Sequence, residues 1–323
     1  MSRVLLRGMH GLGDTIHQRA IIRELKRRGD RVAVETPWPQ LCADLADEIY
    51  LPEKSLRTQQ KNMRRGGVKS IAAAMRFTRT VKNWYKSPAV RAGGYVKAMF
   101  DELALPCPAS PDFSFGVPAA WVEKARQVVG DTGGQPVLVY RPLVARKEWI
   151  GCDSRNPDAK AYAALFAAAR DGFYVVSVAD LVPGVEWITS RPVVADKEFH
   201  KGELDIETLC GLFSLASLVF CSPGFALPLS QSVGTHVVCV YGGRENSTFY
   251  RQDDKTLGVD TVRPCDCLSH THACVKTIDL DAYVPRVRAF AARAWQGRGK
   301  GAASCGRLAG RLIIAVNFFS LFY

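Results

Sequence analysis

Twice along the chain, short runs of almost wholly apolar residues alternate with longer stretches of helical spacing. That alternation limits the possible folds more than any other feature. In the first half, the run at 4–6 precedes a helical stretch over about 15–28, and the run at 32–35 precedes another around 39–47. Strands that are apolar at nearly every position are buried on both faces, which is the mark of parallel strands joined by crossover helices. A long basic stretch, read as helical over about 56–104, follows. The pattern breaks at LPCPASPDFSFGVPAAW (105–121) and again at GDTGGQP (130–136), both rich in Pro and Gly, and then restarts. Apolar runs at 137–140, 174–178, 218–221 and 237–241 enclose a helical stretch at about 158–171 and a second in LPLSQSVG. The expectation is an α/β chain of two Rossmann-like, doubly wound domains facing a cleft, at 1–130 and 131–296, with residues 297–323 as a separate tail.

Charge narrows the partners. The formal net charge is +12, and between Lys54 and Lys97 there are twelve Lys or Arg and no Asp or Glu. Such a run is either a solvated face or a surface that meets a polyanion, and the second reading puts Arg64, Arg65 and Lys69 against a phosphorylated glycolipid or a nucleic acid. The ten cysteines form no dense framework, and the apolar run in MSRVLLRGMHG is too short for a signal peptide. A cytoplasmic protein is expected. The tail, GRGKGAASCGRLAGRLIIAVNFFSLFY, ends in an apolar stretch shorter than the roughly 20 residues that cross a bilayer. It is read as peripheral and without a function of its own, with an interfacial anchor, a docking segment or an accident of the reading frame as the alternatives; association at the inner membrane surface stays open as a further partner.

Between the first apolar run and the first helix lies GMHGLGDTIH, residues 8–17. Its spacing matches neither the GxGxxG of a dinucleotide fold nor a P-loop, which needs GK[ST]. Gly11 and Gly13 let the backbone turn sharply and approach a ligand. Asp14 begins a helix, either as its N-cap or as a base facing the cleft. His17, three residues on, shares its face.

The run RVLLRGMHGLGDTIHQRAIIRELKRRG resembles the start of bacterial heptosyltransferases, a GT-B glycosyltransferase family that opens on a strand, a Gly-rich turn ending in Gly-Asp and a helix. The resemblance implies that Gly11, Gly13 and His17 belong to the acceptor side and that Asp14 is the general base. VLVYRPLVARKEWIG is similar to the family's donor-contacting segment, which makes Lys147 and Trp149 the matching donor positions. LDIETLCGLFSLASLVFCSPGFALPLSQSVGTHVVCVYGG resembles the family's helix, strand, phosphate loop, helix and strand, with donor contacts expected at Ser222 and Gly224; Arg244, just beyond it, is a cation that would help stabilise the departing diphosphate. Here the chain departs from the family pattern of Asp-Thr-Gly with a His soon after: it has Ser222, Pro223 and Gly224, and no His before His236.

The implied reaction is transfer of a heptose-like sugar from a nucleotide diphosphate to a hydroxyl of an anionic acceptor. Three rivals stay open: a glycosyltransferase acting on nucleic acid, a shell that binds a nucleotide sugar without turnover, and an epimerase. No cofactor is required if cations and helix N–H groups hold the diphosphate. RPCDCLSHTHACVKTID gathers Cys265, Cys267, His270, His272 and Cys274 but lacks the paired CxxC of a standard zinc finger. A loop of reduced thiols is expected there, with Cys265, Cys267 and Cys274 the candidates for a structural Zn or Fe.

Overall fold

A computed structural model describes residues 2–52, 77–147, 153–269 and 272–309, with side chains as far as 296. Two parallel sheets stand at its centre. The first has the order β3-β2-β1-β4, built from β1 (Arg3–Arg7), β2 (Arg31–Glu35), β3 (Glu48–Tyr50) and β4 (Arg79–Lys82). The second has six strands in the order β12-β11-β10-β5-β7-β9: β5 (Val137–Tyr140), β7 (Tyr174–Val178), β9 (Lys197–Phe199), β10 (Leu218–Cys221), β11 (His236–Val240) and β12 (Thr256–Val259). A small antiparallel pair, β6 (Val144–Arg146) and β8 (Glu186–Ile188), stands beside it.

The apolar runs become strands because each is walled in on both sides. In β5 and β10 every residue is buried, and the same holds for four of the five residues of β11. The connecting helices are α1 (Leu12–Arg27), α2 (Ser87–Glu102), α3 (Ala119–Val129), α4 (Ala159–Ala169), α5 (Ile206–Leu215), α6 (Ala226–Val233) and α7 (Leu280–Ala309). Asp158 caps α4 by accepting from the N–H groups of Lys160 and Ala161, and Asp205 caps α5 by accepting from that of Thr208. α7 crosses the expected boundary at 296. Among the described residues, no helix is long and apolar enough to cross a membrane.

Two sequence expectations change. The segment 39–47 is not a helix: a single 3₁₀ turn at Pro39–Leu41 leads into β3. The basic stretch is not continuous helix either. The β-branched pair Thr80 and Val81 runs as β4 beside β1, with Leu5 opposite Thr80 and Leu6 opposite Val81. The helix after β4 begins at Ser87, where Pro88 stands in the first turn. Arg64, Arg65 and Lys69 lie outside the described residues.

The two halves share one core, in which Leu6, Ile16 and Ile21 from the first sheet's side join Val139, Val219 and Leu227 from the second. A backbone bond from the Phe115 N–H to the Ser232 carbonyl (2.8 Å) ties the connecting segment to α6. α3, though it precedes the junction at 130, packs on α5 of the second half.

Candidate active site

In each sheet the strand order reverses at one point, and side chains and loops just beyond the C-terminal ends of the strands there are where open α/β sheets take their ligands. In the first sheet the reversal lies between β1 and β4. In the second it lies between β5 and β10. Both points open onto a single cavity of about 540 Å³. Gly11, Gly13 and Asp14, after β1, and Tyr85, after β4, line it from one side. Arg141, after β5, and Ser222 to Phe225, after β10, line it from the other.

Asp14 is not the cap of α1. Gly11 is, and Asp14 is the third helical residue, with no side chain capping that terminus. A Cβ on Gly11 would stand 2.4 Å from Asp14 Oδ2, so the glycine leaves the room in which this carboxyl turns back over the helix end. Gly13 faces the other half: a Cβ there would meet Pro228 Cγ at 3.0 Å and the Phe225 Cα at 3.4 Å. The absent side chain therefore lets the N-termini of α1 and α6 converge. α6 also begins without a side-chain cap. Its first N–H groups, like those of α1, carry the positive end of a helix dipole to the cavity wall. A Cβ built on Gly224, in the loop just before α6, meets nothing within 4 Å.

Burial pushes the Asp14 carboxyl up to about 6; the positive charge of Arg155 pulls against this, and Glu245 adds to it. His17 is buried one turn further along, edge-on to Phe113 at 5.2 Å. Burial and the nearby Arg251 push its pKa down to about 4, so its imidazole is neutral at physiological pH. His17 thus shapes the cavity as an uncharged ring.

Four arginines line the cavity: Arg141, Arg146, Arg155 and Arg244. Arg146 pairs with Glu186 at 2.7 Å and Arg155 with Glu245 at 3.3 Å. Glu245 is also the acceptor for Tyr95 Oη (2.8 Å) and Tyr250 Oη (2.6 Å). Burial raises the carboxyl's pKa, but Arg155 and these hydroxyls outweigh it and keep Glu245 ionised. Tyr95 belongs to α2, so this network stitches the two halves behind Asp14. The stitch depends on a break in α2 at Gly94, where φ is +80° and a Cβ would stand 2.7 Å from the Phe249 carbonyl oxygen.

Of the positions singled out in the sequence, Gly11, Gly13, Asp14, His17, Ser222, Gly224 and Arg244 come together around this cavity. Lys147 follows β6, is exposed and is not among the lining residues; Trp149 lies outside the described residues. Arg141, Arg155, Tyr85, Tyr95 and Tyr250 line the cavity without having been picked out. Arg141 had a usable signal, since it directly follows a wholly apolar strand. The pairing of Arg155 with Glu245, ninety positions apart, had none.

A second cluster lies in the loop after β12. The ligand atoms of Cys265, Cys267, His272 and Cys274 all fall within 4.8 Å of one another. The closest contacts are Cys265 Sγ to His272 Nδ1 at 3.4 Å, His272 Nδ1 to Cys274 Sγ at 3.5 Å, and Cys267 Sγ to Cys274 Sγ at 3.6 Å. Sulfur ligands about 2.3 Å from an ion at tetrahedral angles stand roughly 3.7 Å apart, so the donor set fits a four-coordinate metal. Asp266 and Leu268 reach this geometry at positive φ (53° each), and the loop is held by Cys265 N–H to the Gly243 carbonyl and Leu268 N–H to that of Arg244. In turn Arg244 Nη2 donates to the Leu268 carbonyl at 3.2 Å, and Ser154 Oγ to that of Ser269 at 3.0 Å. The cluster therefore buttresses two arginine-bearing segments of the cavity. His270 lies outside the described residues.

Solved structures resemble the chain in fold at low sequence identity. The iron-containing dodecameric glycosyltransferase TibC from enterotoxigenic E. coli superposes with a TM-score of 0.63 at 14% identity, over 91% of this chain and 76% of that one. The E. coli ADP-heptose LPS heptosyltransferase II gives 0.54 at 12% identity, over 92% and 99%. The chain has the GT-B glycosyltransferase fold. A family 9 glycosyl transferase from Veillonella parvula is similar as well, with a TM-score of 0.52 at 13% identity over 80% and 86%. No protein-family model matches the sequence, and a search of the curated proteins returns no relative. The similarity expected from the Gly-rich turn thus exists at the level of the GT-B fold.

Proposed function

We propose that the chain is a glycosyltransferase that moves a heptose-like sugar from a nucleotide diphosphate to a hydroxyl of an anionic acceptor, with Asp14 as general base. The observation that carries this reading is the convergence of two uncapped helix N-termini and four arginines on one cavity whose wall also holds a carboxyl with a pKa near 6. Positive groups fixed in place before reaction favour a diphosphate, whose negative charge grows as it departs. A carboxyl near 6 is ionised at neutral pH yet basic enough to accept a proton as an alcohol attacks.

In this reading the donor lies along Ser222, Gly224 and Arg244, and the acceptor lies along Gly11, Gly13 and His17. The acceptor oxygen bonds to the anomeric carbon from the face opposite the diphosphate, and its proton passes to Asp14. The bond from that carbon to the phosphate oxygen breaks, and its electron pair leaves with the nucleotide. The anomeric configuration is therefore inverted. ADP-heptose is the first donor to try, because the heptosyltransferase II similar in fold is an ADP-heptose enzyme. A phosphorylated glycolipid is the first acceptor, given twelve cations between Lys54 and Lys97; nucleic acid is the second. Cys265, Cys267, His272 and Cys274 would hold a structural Zn or Fe that stiffens the loop behind Arg244. TibC, similar in fold, is iron-containing. No proton or bond in the transfer involves that group.

Product analysis tests the reading. The protein is incubated with ADP-heptose, other ADP-sugars and UDP-sugars, each with and without a phosphorylated glycolipid acceptor. Release of the nucleoside diphosphate with a matching mass gain on the acceptor supports transfer. An isomerised sugar still attached to its nucleotide makes the chain an epimerase, and binding with neither outcome makes it a non-catalytic shell.

A further inference from the structure

We propose that Arg141 is a donor-binding residue whose guanidinium grips the departing diphosphate at the reversal point between β5 and β10, an assignment that rests on the donor reading of the cleft. Two of the four cavity arginines pair their charge with carboxylates, Arg146 with Glu186 and Arg155 with Glu245. Arg141 does not. Among the described residues it makes no ion pair, and its side chain makes a single hydrogen bond, from Nη1 to the Val178 carbonyl at 2.7 Å. Most of its N–H donors are left for something in the cavity that it lines.

The guanidinium is also held still. Its central carbon lies 4.8 Å from the centroid of the Phe225 ring, and Phe225 is the residue that leads into α6. One arm is tied to β7 through Val178, and the backbone is tied to β10 by the Arg141 N–H to the Phe220 carbonyl at 2.9 Å. A planar fork fixed this way meets a phosphate with little further loss of freedom. Its neighbour across the reversal point, Ser222, carries no charge and leaves the cation unneutralised. Burial depresses the Arg141 pKa; Tyr162, Cys221 and Asp180 oppose this, Arg146 reinforces it, and none of them forms an ion pair with the guanidinium. A cation desolvated without a carboxylate partner is costly to keep, and a bound anion removes that cost. Gly224 leaves open space just before the N-terminus of α6, the side from which the diphosphate would meet both the helix N–H groups and Arg141.

The experiment measures binding of ADP, UDP and GDP, and of the corresponding nucleosides, by titration calorimetry to the wild type, Arg141→Gln and Arg141→Lys. Losing a charge-assisted contact to phosphate is expected to weaken the preferred nucleoside diphosphate on the order of 10- to 100-fold in Arg141→Gln, with the nucleoside within about twofold. Arg141→Lys, which keeps the charge but not the fork, should fall between. If the wild type binds a diphosphate and both variants bind it equally well, the assignment of Arg141 is wrong while the donor reading stands. If the wild type binds none of the three, the donor reading itself falls, and this inference with it. Should Arg141→Gln fail to fold, phenylglyoxal modification of the wild type decides: pyrophosphate must protect the peptide that carries Arg141, and equal labelling with and without it overturns the proposal.

Discussion

Replacing Asp14 with Asn should make the protein more stable while stopping its chemistry, and the gain should depend on pH. The carboxyl titrates at about 6 in the folded chain against a reference of 3.8, chiefly because burial disfavours its charge. The folded state therefore holds this proton more tightly than the unfolded state does. Ionisation works against folding from about pH 4 upward, and the full cost is reached above about pH 6. At 1.36 kcal/mol per pH unit the shift amounts to about 3 kcal/mol, and screening by water in the half-open cleft leaves about 1 to 2 kcal/mol. Asp14→Asn carries no such charge. Urea unfolding should find it more stable than the wild type by about that amount at pH 8, with the two converging near pH 4. A variant that is less stable at pH 8, or whose difference from the wild type ignores pH, would show that the carboxylate is a structural acceptor and that its burial does not set its pKa.

Three further outcomes follow from the geometry. Gly13→Ala places a methyl 3.0 Å from Pro228 Cγ, so the ends of α1 and α6 must part by a few tenths of an ångström. Alanine's helix propensity returns about as much stability as the overpacking removes, so the melting temperature should hardly move while turnover falls at least about 10-fold; unaltered turnover would refute the close approach. Protein prepared without chelator should contain close to one equivalent of Zn or Fe by elemental analysis and lose it in Cys265→Ser, whereas a metal content near zero would leave the cluster as reduced thiols. Binding of a phosphorylated acceptor should weaken steeply between low and moderate salt, and again on charge reversal at Arg64, Arg65 and Lys69, with ADP binding much less affected; an acceptor insensitive to both would make the basic run a solvated face.

The sequence was informative where burial is uniform. The strands Val137–Tyr140, Tyr174–Val178 and Leu218–Cys221 fall where their apolar runs stand, because central parallel strands show the core on both faces. β4 was not legible, since an edge strand reading RTVK is half basic and three of its four residues are exposed. In the site, Gly11, Gly13 and Asp14 were readable because one local turn sets their geometry. The Glu245 network was hidden by its construction: Tyr95, Arg155 and Tyr250 meet only after two sheets have docked, and α2 must break at Gly94 to bring Tyr95 there. The Asp14 pKa was hidden as well: burial raises it, and the charges that modify it, Arg155 and Glu245, come from the opposite half of the chain.

The most direct test of the account separates donor binding from transfer in one pair of proteins. ADP-heptose is titrated into the wild type and Asp14→Asn, and ADP release is then followed in both with a phosphorylated glycolipid acceptor present. The account predicts dissociation constants within about threefold of each other, because Asp14 faces the acceptor, and release slowed by roughly 10² to 10⁴ in the variant, with the wild-type rate falling below about pH 6 as Asp14 takes up its proton. Equal release from the two proteins, or a wild type that neither binds the donor nor releases ADP, would contradict it.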